Sequence, residues 1–314
     1  MQAQHEISFG LLVALALGAH VMSAQSASDK EIQGLPSTLA IAQFIDGRFL
    51  LVGLDGRVQQ FDLRPDDFFT LARFSPDGTL IVGMTERTII VLNRRFERVW
   101  QRNTGARNVT SIALSADGTK VAFLENDLRL RTAHVEITAA EGPNRIVGTI
   151  ALVDSSAQAR GVSWDPKGER ITFGVGDKIR IVDVNSKANI TAATGYDPSW
   201  SPDGQWIAYR STEGQLVLLD MKARAPQTTG LSLSSSAHWS PDSNYIFIDE
   251  DYSARASAVG CMTNSRFVVY RLSDKARKII YDPCGLRDAN FGWVSDAVEW
   301  GRAASAKAST AGHR

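Results

Sequence analysis

Short apolar runs alternate with clusters of turn-forming residues along most of the chain. Leu80-Ile81-Val82, Val121-Ala122-Phe123, Ile171-Thr172-Phe173, Trp206 to Tyr209 and Tyr245 to Ile248 are rich in branched and aromatic side chains. Runs this short, bounded by turn residues, predict strands buried on both faces. Each follows a turn cluster: Ser75-Pro76-Asp77-Gly78, Ser115-Ala116-Asp117-Gly118, Asp165-Pro166-Lys167-Gly168, Ser201-Pro202-Asp203-Gly204 and Ser240-Pro241-Asp242-Ser243. Proline pre-sets φ at the second turn position, Asp bonds nearby backbone N–H groups, and Gly accepts positive φ. A large apolar residue stands before each turn: Phe74, Leu114, Trp164, Trp200 and Trp239. Gln43-Phe44-Ile45-Asp46-Gly47, leading into Phe49 to Val52, reads as a degenerate sixth copy.

The spacing of these anchors falls within the range of about 20–50 residues that marks propeller blades or solenoid units. A lone hairpin cannot bury two apolar faces, whereas stacked blades can. Blade one reads as three strands, Leu39 to Phe44, Phe49 to Gly53 and Val58 to Asp62, and lacks its outer strand. Blades two to six begin near Thr70, Thr110, Gly161, Tyr196 and Ser235. The sixth carries a long insertion from Asp249 to Ser265. Ala297 to Trp300 is a further short strand, expected to supply the missing fourth strand of blade one and to remove the exposed edges. The expectation is therefore an all-β, six-bladed β-propeller closed by a C-terminal strand. The alternative is a seventh blade starting at Phe291-Gly292-Trp293.

The repeats resemble the WD-related "PD" repeats of the TolB-type periplasmic propellers, which also occur in the propeller domains of prolyl-oligopeptidase-like enzymes. The resemblance covers roughly residues 38–301. It implies a propeller with protein partners at the cell envelope. The repeats begin soon after a signal-like start, without the extra N-terminal domain of TolB, so the Tol–Pal role itself does not carry over. The peptidase relatives hold their catalysis in a separate hydrolase domain that this chain has no room for.

Ile7 to Ala19 is an apolar run of signal-peptide length, followed by small residues at Ser23, Ala24 and Ser26. The organisation expected is a signal peptide at 1–24, a polar lead-in at 25–37, the propeller at 38–301 and a small, polar tail at 302–314. The first six residues carry no Lys or Arg, which leaves an uncleaved start or a membrane anchor as the other reading. Export predicts a periplasmic or secreted protein, with no transmembrane span after cleavage. In that compartment Cys261 and Cys284 are expected to form a disulfide. Pairing Arg266 to Leu272 with Arg277 to Tyr281 brings them together, and closing such a loop stabilises by about 3 kcal/mol. Two reduced thiols in a cytosolic chain are the alternative.

The 314 residues carry 34 basic and 34 acidic side chains, a formal net charge of zero. A nucleic-acid binder needs a basic excess to engage phosphates, so that class is set aside. No Gly-x-Ser-x-Gly elbow and no phosphate-binding glycine loop occurs. His134-Val135-Glu136 lacks a third ligand for zinc, and His238, beside an anchor Trp, reads as packing or a backbone hydrogen bond. No metal and no cofactor is expected.

Loops held by a rigid scaffold concentrate function. In related propellers, ligands occupy the central channel or the face opposite the first turn of each blade. Candidate binding residues there are Glu86, Arg87, Glu125, Asp127, Arg129, Arg160, Asp197, Asp249, Glu250, Asp251, Tyr252 and Arg255. Asp249-Glu250-Asp251 could bind a hard cation, but neighbours on a strand point to opposite faces, so a charged rim is the expectation. The function expected is a monomeric, non-catalytic protein-binding scaffold of the envelope or exterior. Alternatives are a lactonase- or lyase-like propeller enzyme with a cation in its channel, and a small-molecule or glycan binder using the Asp249 to Ser265 insertion.

Overall fold

A computed structural model describes residues 39–45, 48–53, 58–62, 69, 71–85, 87–93, 95–103, 109–127, 132–139, 146–152, 159–251, 265–281 and 298–302. The secondary structure among them is entirely β. In chain order the strands are β1 (Leu39–Ile45), β2 (Arg48–Gly53), β3 (Val58–Asp62), β4 (Leu71–Phe74), β5 (Leu80–Met84), β6 (Thr88–Asn93), β7 (Arg98–Asn103) and β8 (Val109–Leu114). There follow β9 (Lys120–Asp127), β10 (Thr132–Ala139), β11 (Ile146–Leu152), β12 (Ala159–Trp164), β13 (Arg170–Val175), β14 (Lys178–Asp183), β15 (Asn189–Thr194) and β16 (Tyr196–Trp200). The remainder are β17 (Trp206–Arg210), β18 (Gln215–Asp220), β19 (Ala225–Ser232), β20 (Ala237–Trp239), β21 (Tyr245–Asp251), β22 (Ser265–Arg271), β23 (Arg277–Tyr281) and β24 (Val298–Arg302).

The turn cluster makes each first hairpin by a shared set of bonds. Between β16 and β17, Ser201 N–H donates to Trp206 O at 2.9 Å and Gly204 N–H to Ser201 O at 2.9 Å. Ser201 Oγ donates to Asp203 Oδ1 at 2.6 Å while accepting from Trp206 N–H at 2.9 Å. Gly204 sits at φ 73°, where a side chain would be strained. The same Ser–Asp pairing recurs at Ser75–Asp77, Ser115–Asp117 and Ser240–Asp242. The hairpin is thus closed by local bonds, and its strands are free to bury both faces.

Each sheet is antiparallel and ordered outward from its first strand: β4-β5-β6-β7, β8-β9-β10-β11, β12-β13-β14-β15, β16-β17-β18-β19 and β20-β21-β22-β23. The core lies between sheets. Val82, Val91 and Met84 of one sheet pack on Ile112, Leu114 and Phe123 of the next, and Ile179 and Ile181 pack on Trp200 and Ile207. Ala122 and Leu124 likewise meet Val162, Trp164 and Phe173. The second and third strands are buried almost throughout, whereas the outer strands β15 and β19 are largely exposed.

Two sequence expectations are corrected. The described side chains establish four blades rather than six or seven: β4–β7, β12–β15, β16–β19 and β20–β23. Two further four-stranded sheets, β8–β11 and β24-β1-β2-β3, are described chiefly by strand pairing, and no seventh sheet occurs among the described residues.

The second correction concerns the closing strand. β24 does not complete its sheet from the outside; it pairs with β1 and is the innermost strand. It lies against β4 on one side and β20 on the other. Trp300 pairs with Ile41, as Phe74 pairs with Ile81, Trp164 with Ile171, Trp200 with Ile207 and Trp239 with Ile246. Trp300 is therefore the sixth anchor. Positions 46–47 fall between β1 and β2, the second and third strands of that sheet, one strand later than the repeat suggests. Local turn chemistry cannot distinguish these cases, because pairing with β24 is set by residues far along the chain.

Candidate functional site

The innermost strands are stitched to one another by side chains that reach backbone across the sheet boundary. Thr110 Oγ1 donates to Ala159 O at 2.9 Å, and Val162 N–H donates to Ser111 Oγ at 2.9 Å. Trp200 N–H donates to Ser163 Oγ at 3.0 Å. The anchor indoles add to this: Trp164 Nε1 donates to Ala113 O at 3.2 Å and Trp239 Nε1 to Ser199 O at 3.0 Å. Trp200 Nε1, by contrast, is buried with no hydrogen-bond partner.

Inside this stitched wall lies a cavity of about 120 Å³, bounded by β4, β8, β12, β16 and β20 and by the turns that follow them. At the turn side of the sheets it is lined by Pro76, Pro166, Pro202 and Pro241. The residue immediately before each anchor lines it: Arg73, Ala113, Ser163, Ser199 and His238. All five are partly exposed. By register Glu299 holds the same position on β24. A guanidinium and an imidazole thus share the wall with serine hydroxyls, so the cavity can accept both hydrogen-bonding and apolar groups.

None of the expected binding residues lines this cavity. Arg87 is exposed in the turn after β5, and Glu125 is half-buried on β9. Asp127 falls at the end of β9 by its backbone. Arg160 is exposed on β12. Asp249, Glu250 and Asp251 occupy successive positions of β21 opposite Phe267, Arg266 and Ser265. Alternation splits them: Glu250 is buried, Asp251 exposed. Glu250 Oε2 pairs with Arg266 Nε at 2.5 Å and Oε1 with Arg277 Nη1 at 3.3 Å, so its charge is spent inside its own blade. Glu86, Arg129, Tyr252, Arg255, Cys261 and Cys284 lie outside the described residues. Among the described residues no group of three or more His, Cys, Asp or Glu could hold a metal ion.

Asp197 has a distinctive setting at the opposite end of β16. It holds φ 51°, in the left-handed region, although a proline follows it. The equivalent position in β12 is Gly161, at φ 67°. Arg210 Nη2 stands 3.5 Å from Asp197 Oδ2, and the guanidinium lies 5.0 Å from the centre of the Tyr196 ring. Arg210 Nε is buried without a hydrogen-bond partner.

Sequence reasoning missed Arg73 as a cavity residue and assigned His238 to packing or a backbone hydrogen bond. The signal was present: both immediately precede an anchor, and alternation turns that position away from the anchor's side of the strand.

No family model and no curated protein matches this chain. Solved structures do match in fold. The protein assigned as TolB from Agrobacterium tumefaciens superimposes with a TM-score of 0.56 at 17% identity, over 78% of this chain and 89% of that one. The Swd1 β-propeller domain of Myceliophteria thermophila gives 0.50 at 10% identity, over 66% of each chain. Kuenenia stuttgartiensis hydrazine synthase gives 0.50 at 16% identity, over 72% of this chain and 78% of that one. The likeness establishes an all-β, TolB-like propeller arrangement. No helix among the described residues is long and apolar enough to cross a membrane.

Proposed function

We propose that this chain is a non-catalytic protein-binding propeller that receives a segment of its partner at the turn-side mouth of the central cavity. The observation that carries the reading is the cavity itself, with walls drawn from five sheets and lined by Arg73, His238, Ser163 and Ser199. The serines are held by blade-to-blade bonds, so the wall is preorganised rather than assembled on binding. The fold likeness to a TolB-type protein, and to the Swd1 propeller domain, favours a scaffold over an enzyme. The TolB likeness and the signal-like start together favour the periplasm or cell exterior, with the chain acting as a monomer.

A photo-crosslinking residue at Ser199, within the mouth, tests this in cells. It is expected to capture one protein partner that the same label at Ser186, on an outer turn, does not. Arg73→Glu is expected to weaken capture about tenfold or more. Equal capture from both positions, or turnover of a metabolite by the purified chain, would remove the reading.

A further inference from the structure

The start of β16 carries a residue that its backbone does not favour. Asp197 holds φ 51°, and Pro198 follows it. The left-handed region costs any residue with a side chain, and a following proline favours extended backbone instead. The preceding sheet meets the same local geometry with glycine. Gly161 stands three residues before Trp164, as Asp197 stands three before Trp200, and it holds φ 67°. Both lie within a register shift, between Arg160 and Ser163 on β12 and between Tyr196 and Ser199 on β16. Two glycines of the neighbouring sheet make room for the strained segment. A Cβ on Gly161 would lie 2.7 Å from Asp197 Cα, and one on Gly174 3.7 Å from Asp197 N. Glycine would suit the backbone at 197 better, so the carboxylate is there for another reason.

The fold itself makes little use of that carboxylate. It accepts no hydrogen bond from the described residues, and Pro198 has no N–H to offer it. Its ion partner, Arg210 Nη2, stands off at 3.5 Å. Arg271 and Asp274 show what a structural pair looks like here, with two bonds of 2.9 and 2.8 Å. The Arg210 guanidinium likewise donates no hydrogen bond to the described residues, and its Nε is buried. A loose, partly exposed ion pair adds little stability. The two side chains are 14% and 26% exposed, so both can be reached from solvent.

We propose that Asp197 and Arg210 form a second binding site, for a free α-amino acid. Its ammonium donates to the Asp197 carboxylate, and its carboxylate accepts from Nη1 and Nη2 of Arg210. These two ligand groups are attached to one carbon, so they can meet opposite charges 3.5 Å apart at the same time. The Tyr196 ring, 5.0 Å from the guanidinium, fixes the plane of Arg210 before the ligand arrives. The site lies at the other end of β16 from the turn-side mouth and takes a small molecule, so it goes beyond the protein-partner reading and is tested apart from it.

The twenty standard amino acids, each at about 10 mM, are the probes in a thermal-shift screen of the full chain. At least one is expected to raise the melting temperature by about 2 °C or more. The same compound is expected to lose its effect as its amide, which lacks the carboxylate, and as its N-acetyl form, which lacks the ammonium. Asp197→Gly installs the residue that position 161 already carries. It is expected to melt no lower than the unaltered chain without ligand, and to weaken the amino acid about tenfold or more in calorimetric titration. Arg210→Gln is expected to weaken it similarly. No shift with any amino acid, or equal binding by Asp197→Gly, overturns the site. An amide that binds as well as the free acid also overturns it, since a peptide N-terminus would then be the ligand. A clearly lower melting temperature of Asp197→Gly without ligand overturns it too, because the carboxylate would then serve the fold.

Discussion

Asp165 stands where four other hairpins place a serine, and Lys167 where they place an aspartate. Asp165 is fully buried, and its Oδ1 accepts from Glu169 N–H at 2.9 Å and Arg170 N–H at 3.0 Å. Its Oδ2 meets Arg170 Nε at 3.0 Å. The carboxylate thus does the work of Ser201 Oγ while carrying a charge that Arg170 offsets. Asp165→Ala leaves two backbone donors without that acceptor and is expected to cost about 1–3 kcal/mol in urea unfolding. The double change Asp165→Ser with Lys167→Asp restores the common cluster and is expected to recover most of the loss. Failure of that rescue would mean that the turns are not interchangeable.

The serine–aspartate turns also set an acid limit. Burial works against the charged form of Asp117, but hydrogen bonds from Ser115 and Thr119 and the charge of Lys120 outweigh it and hold its carboxyl below the ordinary 3.8. For Asp242 burial is likewise outweighed, here by bonds from Ser240 and Asn244. A carboxyl with a lowered folded value binds protons more readily when unfolded. Its stabilising contribution is complete above the ordinary value of 3.8 and is lost as pH falls through the lower folded one. Melting temperature is expected to fall below about pH 4 and to fall less steeply in Asp117→Asn with Asp242→Asn, which scanning calorimetry across pH 2–6 checks. The anchors make a third comparison. Trp239→Phe loses the bond to Ser199 O, whereas Trp200→Phe removes a buried N–H that has no partner. The first is expected to cost about 1 kcal/mol more than the second.

At the scale of elements, the five hairpins following Phe74, Leu114, Trp164, Trp200 and Trp239 were legible because everything that makes them is local. The turn cluster, the short buried run and the ring before it lie within a dozen or so residues. The closing sheet was legible only in part. That Ala297 to Trp300 joins β1 followed from the missing strand, but its inner position did not, since no turn cluster follows Trp300. Its resemblance to Trp164, Trp200 and Trp239 as the last large residue of a short strand was the available clue. Gly161 shows a constraint that sequence could not reveal. A Cβ there would stand 2.7 Å from Asp197 Cα, in a backbone with φ 67°. Gly161→Ala is therefore expected to destabilise by about 2 kcal/mol or more, through strain and overlap together, with a lowered unfolding midpoint as the readout.

At the scale of the whole molecule, the candidate site is a product of convergence. Arg73, Ser163, Ser199 and His238 are scattered through the sequence and meet only because equivalent positions of successive sheets face one axis. Charged positions such as Arg87, Arg160 and Asp251 stand out because charge is conspicuous in a sequence, while axial position is not. Deleting 298–302 should expose the inner edge of β1 and the flanks of β4 and β20, broadening the unfolding transition. A synthetic peptide spanning those residues, added in trans, is expected to restore a sharp one; a transition that stays sharp after the deletion would show that β24 is dispensable.

The placement of β24 also dictates an order of events during synthesis. β1, β2 and β3 leave the ribosome first, yet their innermost neighbour is translated only after every other sheet. Until then β1 offers an open hydrogen-bonding edge to any passing strand, including that of another nascent copy. The ring therefore stays unlocked until β24 itself has been made.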